Sequence, residues 1–362
     1  MSGHPAASEV PAIDPAVEAR ILAAANFEEP DRVPIWDLID NRAALEHFAP
    51  GETDVLKATV KLYHALGIDL CRGYTGGLSE AEERTFVGEP GKERQISGRT
   101  VWNRPPIDNL DDLRAYEFTI PDKEQILRDW VPEMRRVQAA FAPYTMFVPG
   151  ADCGFNLHYG LMGLELFSYA LYEAPSHVGR LLEAQGETGA RYAEVAAETG
   201  LSPLFFTYDD IAYKDRLMFS PDLLRRTFIP MLKRMCDILH GAGIKVIFHS
   251  DGNLTEILDD MVDAGIDGLN PIEPLAGMDI GLLKRRYGRR LILVGNVDCS
   301  QVLPLGSPEE VVEAAKACIR AASPGGGHFI GSSSEIVPST PLQNIIAFYE
   351  AIHRYGRYPI NC

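Results

Sequence analysis

Along the second half of the chain, short apolar runs alternate with longer stretches whose apolar residues recur every three or four positions. The runs fall at 204–208, 244–248, 268–273, 291–294 and 327–331, and helical patterns follow at 221–240, 255–264, 282–287, 308–322 and 341–355. Ser220-Pro221-Asp222 and Ser307-Pro308-Glu309-Glu310 open two of these helices with a capping serine, a proline at the first turn and acidic residues behind it. Apolar strands joined by helices of this length predict a parallel sheet covered on both faces. Three earlier runs, at 33–36, 68–71 and 145–148, bring the strands to the count of a (β/α)8 TIM barrel. Between Gly76 and Asn103 the rhythm breaks. Two β-prone pieces there, Thr85-Phe86-Val87 and Thr100-Val101-Trp102, predict a hairpin inserted after the second strand. Residues 1–15, rich in Ala, Pro and Ser, read as a disordered lead-in, and 16–362 as one barrel domain.

Polar residues fall where the apolar runs end. These ends carry Asp37 and Asp40, Asp152, Asp209 and Asp210, His249 and Asp251, Glu273, Asp298, and Ser334 with Glu335. In a parallel barrel all C-terminal strand ends meet at one mouth, where substrate is bound and transformed. Carboxylates far apart in sequence then crowd together, which favours proton transfer or cation binding. Any single Asp or Asn at such a junction can equally cap a helix or shape a turn. His249 is the sharpest member. It ends an apolar strand, and the i, i+2 spacing puts Asp251 on the same face. The pair can share a metal, a ligand or a proton, or the Asp can simply orient a structural His.

Asp209 and Glu273 join His249 and Asp251 as candidate catalytic residues, and His249, Asp251 and Glu273 form the candidate metal set. Trp36, Asp37, Asp152, Asn156, His158, Asp210, Asn296, Asp298, Ser334 and Glu335 are the candidate substrate contacts, although rings such as Trp36 and His158 serve equally well as packing. A thiolate zinc site would need Cys71, Cys153 or Cys299, the cysteines near strand ends.

Composition narrows the partners. The chain has 46% hydrophobic and 23% charged residues, the profile of a globular protein with a sizeable core, and a net charge of −17. That sign argues against nucleic acid and anionic membranes, both of which require a basic face. No apolar run is long enough to span a membrane, and the N-terminus lacks the basic and apolar segments of a signal peptide. Six scattered cysteines without a CxxC point to reduced thiols and a cytoplasmic location.

Arg32-Val33-Pro34-Ile35-Trp36, Phe219-Ser220-Pro221 with Pro230, His249-Ser250-Asp251-Gly252-Asn253, Gly295-Asn296-Val297-Asp298, and Gly327-His328 through Pro338-Ser339-Thr340-Pro341 together resemble the uroporphyrinogen decarboxylase superfamily, over nearly the whole chain. That superfamily includes corrinoid-dependent methyltransferases. The resemblance implies a (β/α)8 barrel with its site at the mouth, and a dimer as the default assembly. Two departures separate the branches. The segment 38–43 lacks the basic cluster with which the decarboxylases bind substrate carboxylates, and residues 72–76 lack their essential Asp. The zinc methyltransferases carry His-x-Cys after the fifth strand and a second Cys near the last. His249 matches their His, whereas Asp251 and Ser334 stand at the two Cys positions.

The expectation is therefore a methyltransferase- or demethylase-type enzyme acting on a small molecule. Its cofactors would be a divalent metal such as zinc and a corrinoid carried by a partner protein. Decarboxylation of uroporphyrinogen or a smaller acid is the alternative enzyme, and a barrel that only binds a small ligand or a corrinoid partner is the non-catalytic one.

Overall fold

The computed structural model describes residues 12–74, 93–96, 99–102 and 107–362, with the side chains of 93–96, 99–102 and 156–158 outside that description. Eight parallel staves close on themselves. The first is residues 35–36, held by isolated bridges to Leu70 on one side and Ile330 on the other. Leu70–Cys71 is the second. The third is split by Pro149, which has no N–H to give the ladder, into Met146–Phe147 and Gly150–Asp152. Leu204–Tyr208, Lys245–His249, Gly268–Asn270, Ile292–Val294 and His328–Phe329 follow in order, each paired with its predecessor. The (β/α)8 expectation is met, and all eight runs read from the sequence supply a stave.

Alternation along the staves sorts the core into two. Leu70, Leu204, Phe206, Ile247, Ile292, Val294 and Phe329 face inward with Trp36, while Phe205, Val246, Phe248 and Leu293 pack outward against the helices. The helix Pro15–Ala25, capped by Asp14, lays Val17, Ile21, Ala24 and Ala25 against the inner cluster. The predicted helices appear as Pro221–Gly241, Leu258–Ala264, Ile280–Tyr287, Pro308–Ala322 and Leu342–Tyr355. The third starts two residues before its apolar pattern because Asp279 caps it, and Ser307 with Glu310 forms a full capping box on the fourth.

The inserted hairpin lies after the second stave, but its arms are Glu93–Ile96 and Arg99–Trp102. Thr100-Val101-Trp102 therefore belongs to the second arm, whereas 85–87 lies outside the described residues. The polar Glu-Arg-Gln-Ile arm carries no apolar alternation, so hydrophobic pattern could not reveal it. Among the described residues no helix is long and apolar enough to cross a membrane.

The first stave is fastened by two buried carboxylates. Asp69, 1% exposed, accepts Ile35 N–H at 2.7 Å and pairs with Arg20 and Arg32, each at 2.6 Å. Asp37, fully buried, accepts from the Ser332 hydroxyl (2.6 Å), the Ser332 N–H and the Tyr349 hydroxyl (2.7 Å). Removing Asp69 strands the largely buried Arg32 guanidinium and leaves Arg20 with Asp31 alone, so Asp69→Ala should cost about 3–5 kcal/mol of unfolding free energy, read from urea denaturation. A loss below about 1 kcal/mol would show that the network is dispensable.

Burial pushes the Asp37 carboxyl up to about 6 from 3.8, against its hydrogen bonds. The folded state then holds this proton more tightly than the unfolded chain. The group's stabilisation is complete below pH 3.8 and is lost as pH rises through about 6. Asp37→Asn should remove that downward slope from a plot of melting temperature against pH between 4 and 7. An unchanged slope would refute the assignment.

Candidate active site at the mouth of the barrel

The inward alternation that carries Phe206 and Ile247 into the interior places Tyr208 and His249 one layer higher, at the C-terminal ends of the fourth and fifth staves. His249 is 7% exposed. Register puts Asn270 directly across from it, and the Asn270 carboxamide oxygen lies 2.7 Å from His249 Nδ1. Asn270 Nδ2 donates to Val294 O at 3.2 Å, which fixes the amide and turns its oxygen toward the ring. His249 Nδ1 must then carry the hydrogen, and Nε2 is the lone-pair nitrogen. This is how ligating histidines are oriented in metal sites.

The residues following these staves complete a cluster. One ligand atom each from Asp210, His249 and Asp251 lie within 4.8 Å of one another. The loops are tied by Asp251 N–H, which donates to Asp210 Oδ1 at 3.0 Å. Asp152, at the end of the third stave, has its carboxyl pushed up by burial and then by the charge of Asp210. An imidazole nitrogen and two carboxylates form a donor set that fits a divalent ion with nitrogen and oxygen ligands, zinc among them.

The other sequence candidates occupy distinct positions. Glu273 stands behind the cluster, where its Oε2 accepts Gly252 N–H at 3.0 Å. Gly252 has φ +84°, and a Cβ there would lie 2.7 Å from the Ala212 carbonyl carbon, so no other residue fits without displacing the backbone. Asn296 donates to Ile272 O at 2.9 Å and so steadies a β-branched residue at φ 60° immediately before Glu273. Asp209, fully buried, accepts Gly154 N–H at 2.8 Å and joins the loops after the third and fourth staves.

Asp37 faces the wall, and Asp298 accepts from the N–H groups of Ser300, Gln301 and Val302 as a helix cap. Trp36 lies inside the barrel, stacked on Phe206 at 5.0 Å. Ser334, 8% exposed with φ 153°, and Glu335 follow the last stave. Asn156 and His158 begin the helix Asn156–Glu173, and their side chains lie outside the described residues.

Cys71, Cys153 and Cys299 are buried, none joins the ligand cluster among the described residues, and burial raises each thiol's pKa. Two residues of this layer escaped the sequence reading. Asn270 shows its role only through cross-strand register. Arg72 was discoverable, because it stands two residues after the inward Leu70 and so faces the interior as well.

A parallel barrel with an oriented histidine and clustered carboxylates at its C-terminal mouth has the build of a barrel enzyme. The chain belongs to the uroporphyrinogen decarboxylase (URO-D) family, whose model matches residues 17–355. The methylcobamide:CoM methyltransferase MtaA of Methanosarcina barkeri strain Fusaro is 30% identical, over 94% of this chain and 98% of its own length. A uroporphyrinogen decarboxylase of Anaeromyxobacter dehalogenans is 24% identical over 93% and 99%. The solved structure of a methyltransferase from Methanosarcina mazei superposes with a TM-score of 0.68 at 22% identity, covering 94% of this chain and 98% of the other.

If Asn270 holds the Nδ1–H tautomer of His249 that the cluster needs, Asn270→Ala should lower affinity for Mn2+ or Zn2+ about 10- to 100-fold in calorimetric titration. Equal affinity in the variant would remove Asn270 from the site.

Proposed function

We propose that this chain is a small-molecule methyltransferase that takes a methyl group from a methylated corrinoid on a partner, with Asp210, His249 and Asp251 holding a divalent cation at the reacting end of the acceptor. The observation that carries the reading is the Asn270-oriented imidazole with two carboxylate oxygens inside one coordination-sized cluster. The family supports the chemistry, since MtaA is named as a methylcobamide:CoM methyltransferase.

In such a transfer the cobalt–carbon bond breaks and its electron pair stays on cobalt. The acceptor heteroatom uses its lone pair to form the new carbon bond, and its proton must leave. A divalent cation supplies Lewis acidity that lowers the acceptor's pKa. The protein's task is then to receive the proton. Asp152 suits it, because burial and then Asp210 raise its pKa from the ordinary value and make it a better base. A ligand set of nitrogen and oxygen favours a harder cation than a thiolate set does, which argues for an oxygen or nitrogen acceptor rather than a thiol.

Two measurements test this. Protein purified without a histidine tag should contain stoichiometric metal by mass spectrometry. Incubated anaerobically with methylcobalamin and a panel of alcohols, phenols and amines, it should release cob(I)alamin, and His249→Ala should lose metal and turnover together. Metal content and turnover unaffected by His249→Ala would refute the site. Carbon dioxide released from uroporphyrinogen would establish the decarboxylase instead. With Asp152 as base, activity should rise with pH along an acid limb displaced upward from that of an ordinary aspartate, and Asp152→Asn should lower the rate and abolish that limb. An acid limb retained in Asp152→Asn would assign the proton to another group.

A further inference from the structure

The layer that holds Tyr208 and His249 also holds a cation that the proposed chemistry does not use. Arg72 projects into the barrel from the end of the second stave, its guanidinium carbon 5.2 Å from the Tyr208 ring centroid and 5.8 Å from that of Trp36. Among the described residues no carboxylate pairs with it; the Tyr208 hydroxyl is its side-chain hydrogen-bond partner, and its Nε–H is buried without an acceptor. The indole N–H of Trp36, on the neighbouring stave and fully buried, lacks an acceptor as well. A buried donor left unsatisfied costs about 1–3 kcal/mol, more when it is charged. In a chain of net charge −17, with carboxylates at most of its strand ends, an inward arginine without an acid partner among the described residues is conspicuous. Two such donors side by side in one interior layer mark a place for an acceptor brought by a ligand.

That place lies one ring from the carboxylate cluster. Tyr208 separates the two, with its ring 6.2 Å from that of His249. It can stand there because the facing residue on the third stave is Gly150, where a Cβ would run into the Tyr208 hydroxyl. The upper interior therefore has two poles, donor-rich at Trp36 and Arg72 and acceptor-rich at Asp152, Asp210 and Asp251. Tyr208 forms an aromatic floor between them.

We propose that the substrate is an oxyanion-bearing small molecule whose carboxylate, sulfonate or phosphonate group sits on Arg72, with the Trp36 indole N–H as second donor, and whose reacting heteroatom lies at Asp210, His249 and Asp251. This rests on the reading of the mouth as a methyl-transfer site, and the anion pole can be tested apart from it. Arg72 selects substrates and fixes their direction. It faces the tail and leaves the reacting atom to the other pole.

The test uses the full chain, with propionate, 1-propanesulfonate and propylphosphonate as probes and propionamide as the neutral control, at constant ionic strength. Calorimetry and ligand-observed NMR should show at least one anion binding and propionamide not binding. Arg72→Gln should weaken that anion about 10- to 100-fold, the loss of one or two charge-assisted hydrogen bonds, and Arg72→Lys should lose less. A melting temperature for Arg72→Gln no lower than that of the parent would show that the variant is folded. His249→Ala should keep the anion affinity while losing Mn2+, so failure of the methyl-transfer reading leaves the anion pole visible by itself. The preferred head group among the three probes identifies the tail. Equal anion affinity in Arg72→Gln, equal binding of propionamide, or no binding of any anion to the parent protein would overturn the proposal.

Discussion

The first stave of this barrel is a two-residue element on which the closure of the whole sheet depends. Residues 35–36 meet each neighbour at a single bridge, with Trp36 N–H to Ile330 O, Ile330 N–H to Pro34 O and Leu70 N–H to Ile35 O as their short run of backbone hydrogen bonds, so the register needs further fastening. Two buried aspartates supply it. Asp69 reaches across from the second stave to Ile35 N–H while neutralising Arg20 and Arg32, and Asp37 reaches from the first stave to Ser332 and Tyr349 beyond the eighth. A slip of one residue here would turn Trp36 outward and Ile35 inward, and would bring the wrong face of the chain to the mouth. Burial of Asp37 is the cost of that closure, and its raised pKa records it.

How much of this was legible in the sequence follows from the range of each interaction. The eight staves were visible because each is an apolar run with local turn chemistry at its ends, and the capped helices because a Ser or Asp with its following residues forms a local signal. The polar hairpin arm, Glu93–Ile96, had no such signal. At the mouth, sequence indicated which residues reach the strand ends. It could not say which way they turn. Asp37, Asp210 and Asp298 look alike on paper, yet one fastens the seam, one joins the cluster and one caps a helix. Asn270 depended on register across two strands, a non-local property. Arg72 was missed for a different reason: attention to where acids fell hid the simple alternation from Leu70 that turns it inward.

Around His249 the fold stacks positioning upon positioning. Val294 O orients Asn270, and Asn270 orients the imidazole. In parallel, Asn296 holds Ile272, Glu273 holds Gly252 N–H, and Asp210 holds Asp251 N–H. Most of these contacts use backbone or amide groups on rigid strand ends, so the carboxylates keep their places although their charges repel. Such repulsion is relieved by a proton or by a cation. Burial, and then the charge of Asp210, shifts Asp152 toward the first route, and the geometry of Asp210, His249 and Asp251 permits the second.

Family membership and site chemistry therefore do different work in assigning the reaction. Membership establishes the barrel and brings both methyl transfer and decarboxylation within reach, since relatives bearing both names align along nearly the full chain. The site separates them. A decarboxylase acting on a polycarboxylate must spread positive charge around its mouth, whereas here the strand ends are mainly acidic and, among the described residues, Arg72 is a cation facing the interior layer. One arginine can orient a single acidic tail but cannot compensate many. The Asp at the position where resemblance places the methyltransferases' first thiolate preserves negative charge while exchanging soft sulfur for hard oxygen. Under the proposed reading, that exchange keeps a donor set able to hold a cation and alters the acceptor the cation would activate, as expected of a methyltransferase directed to a new substrate.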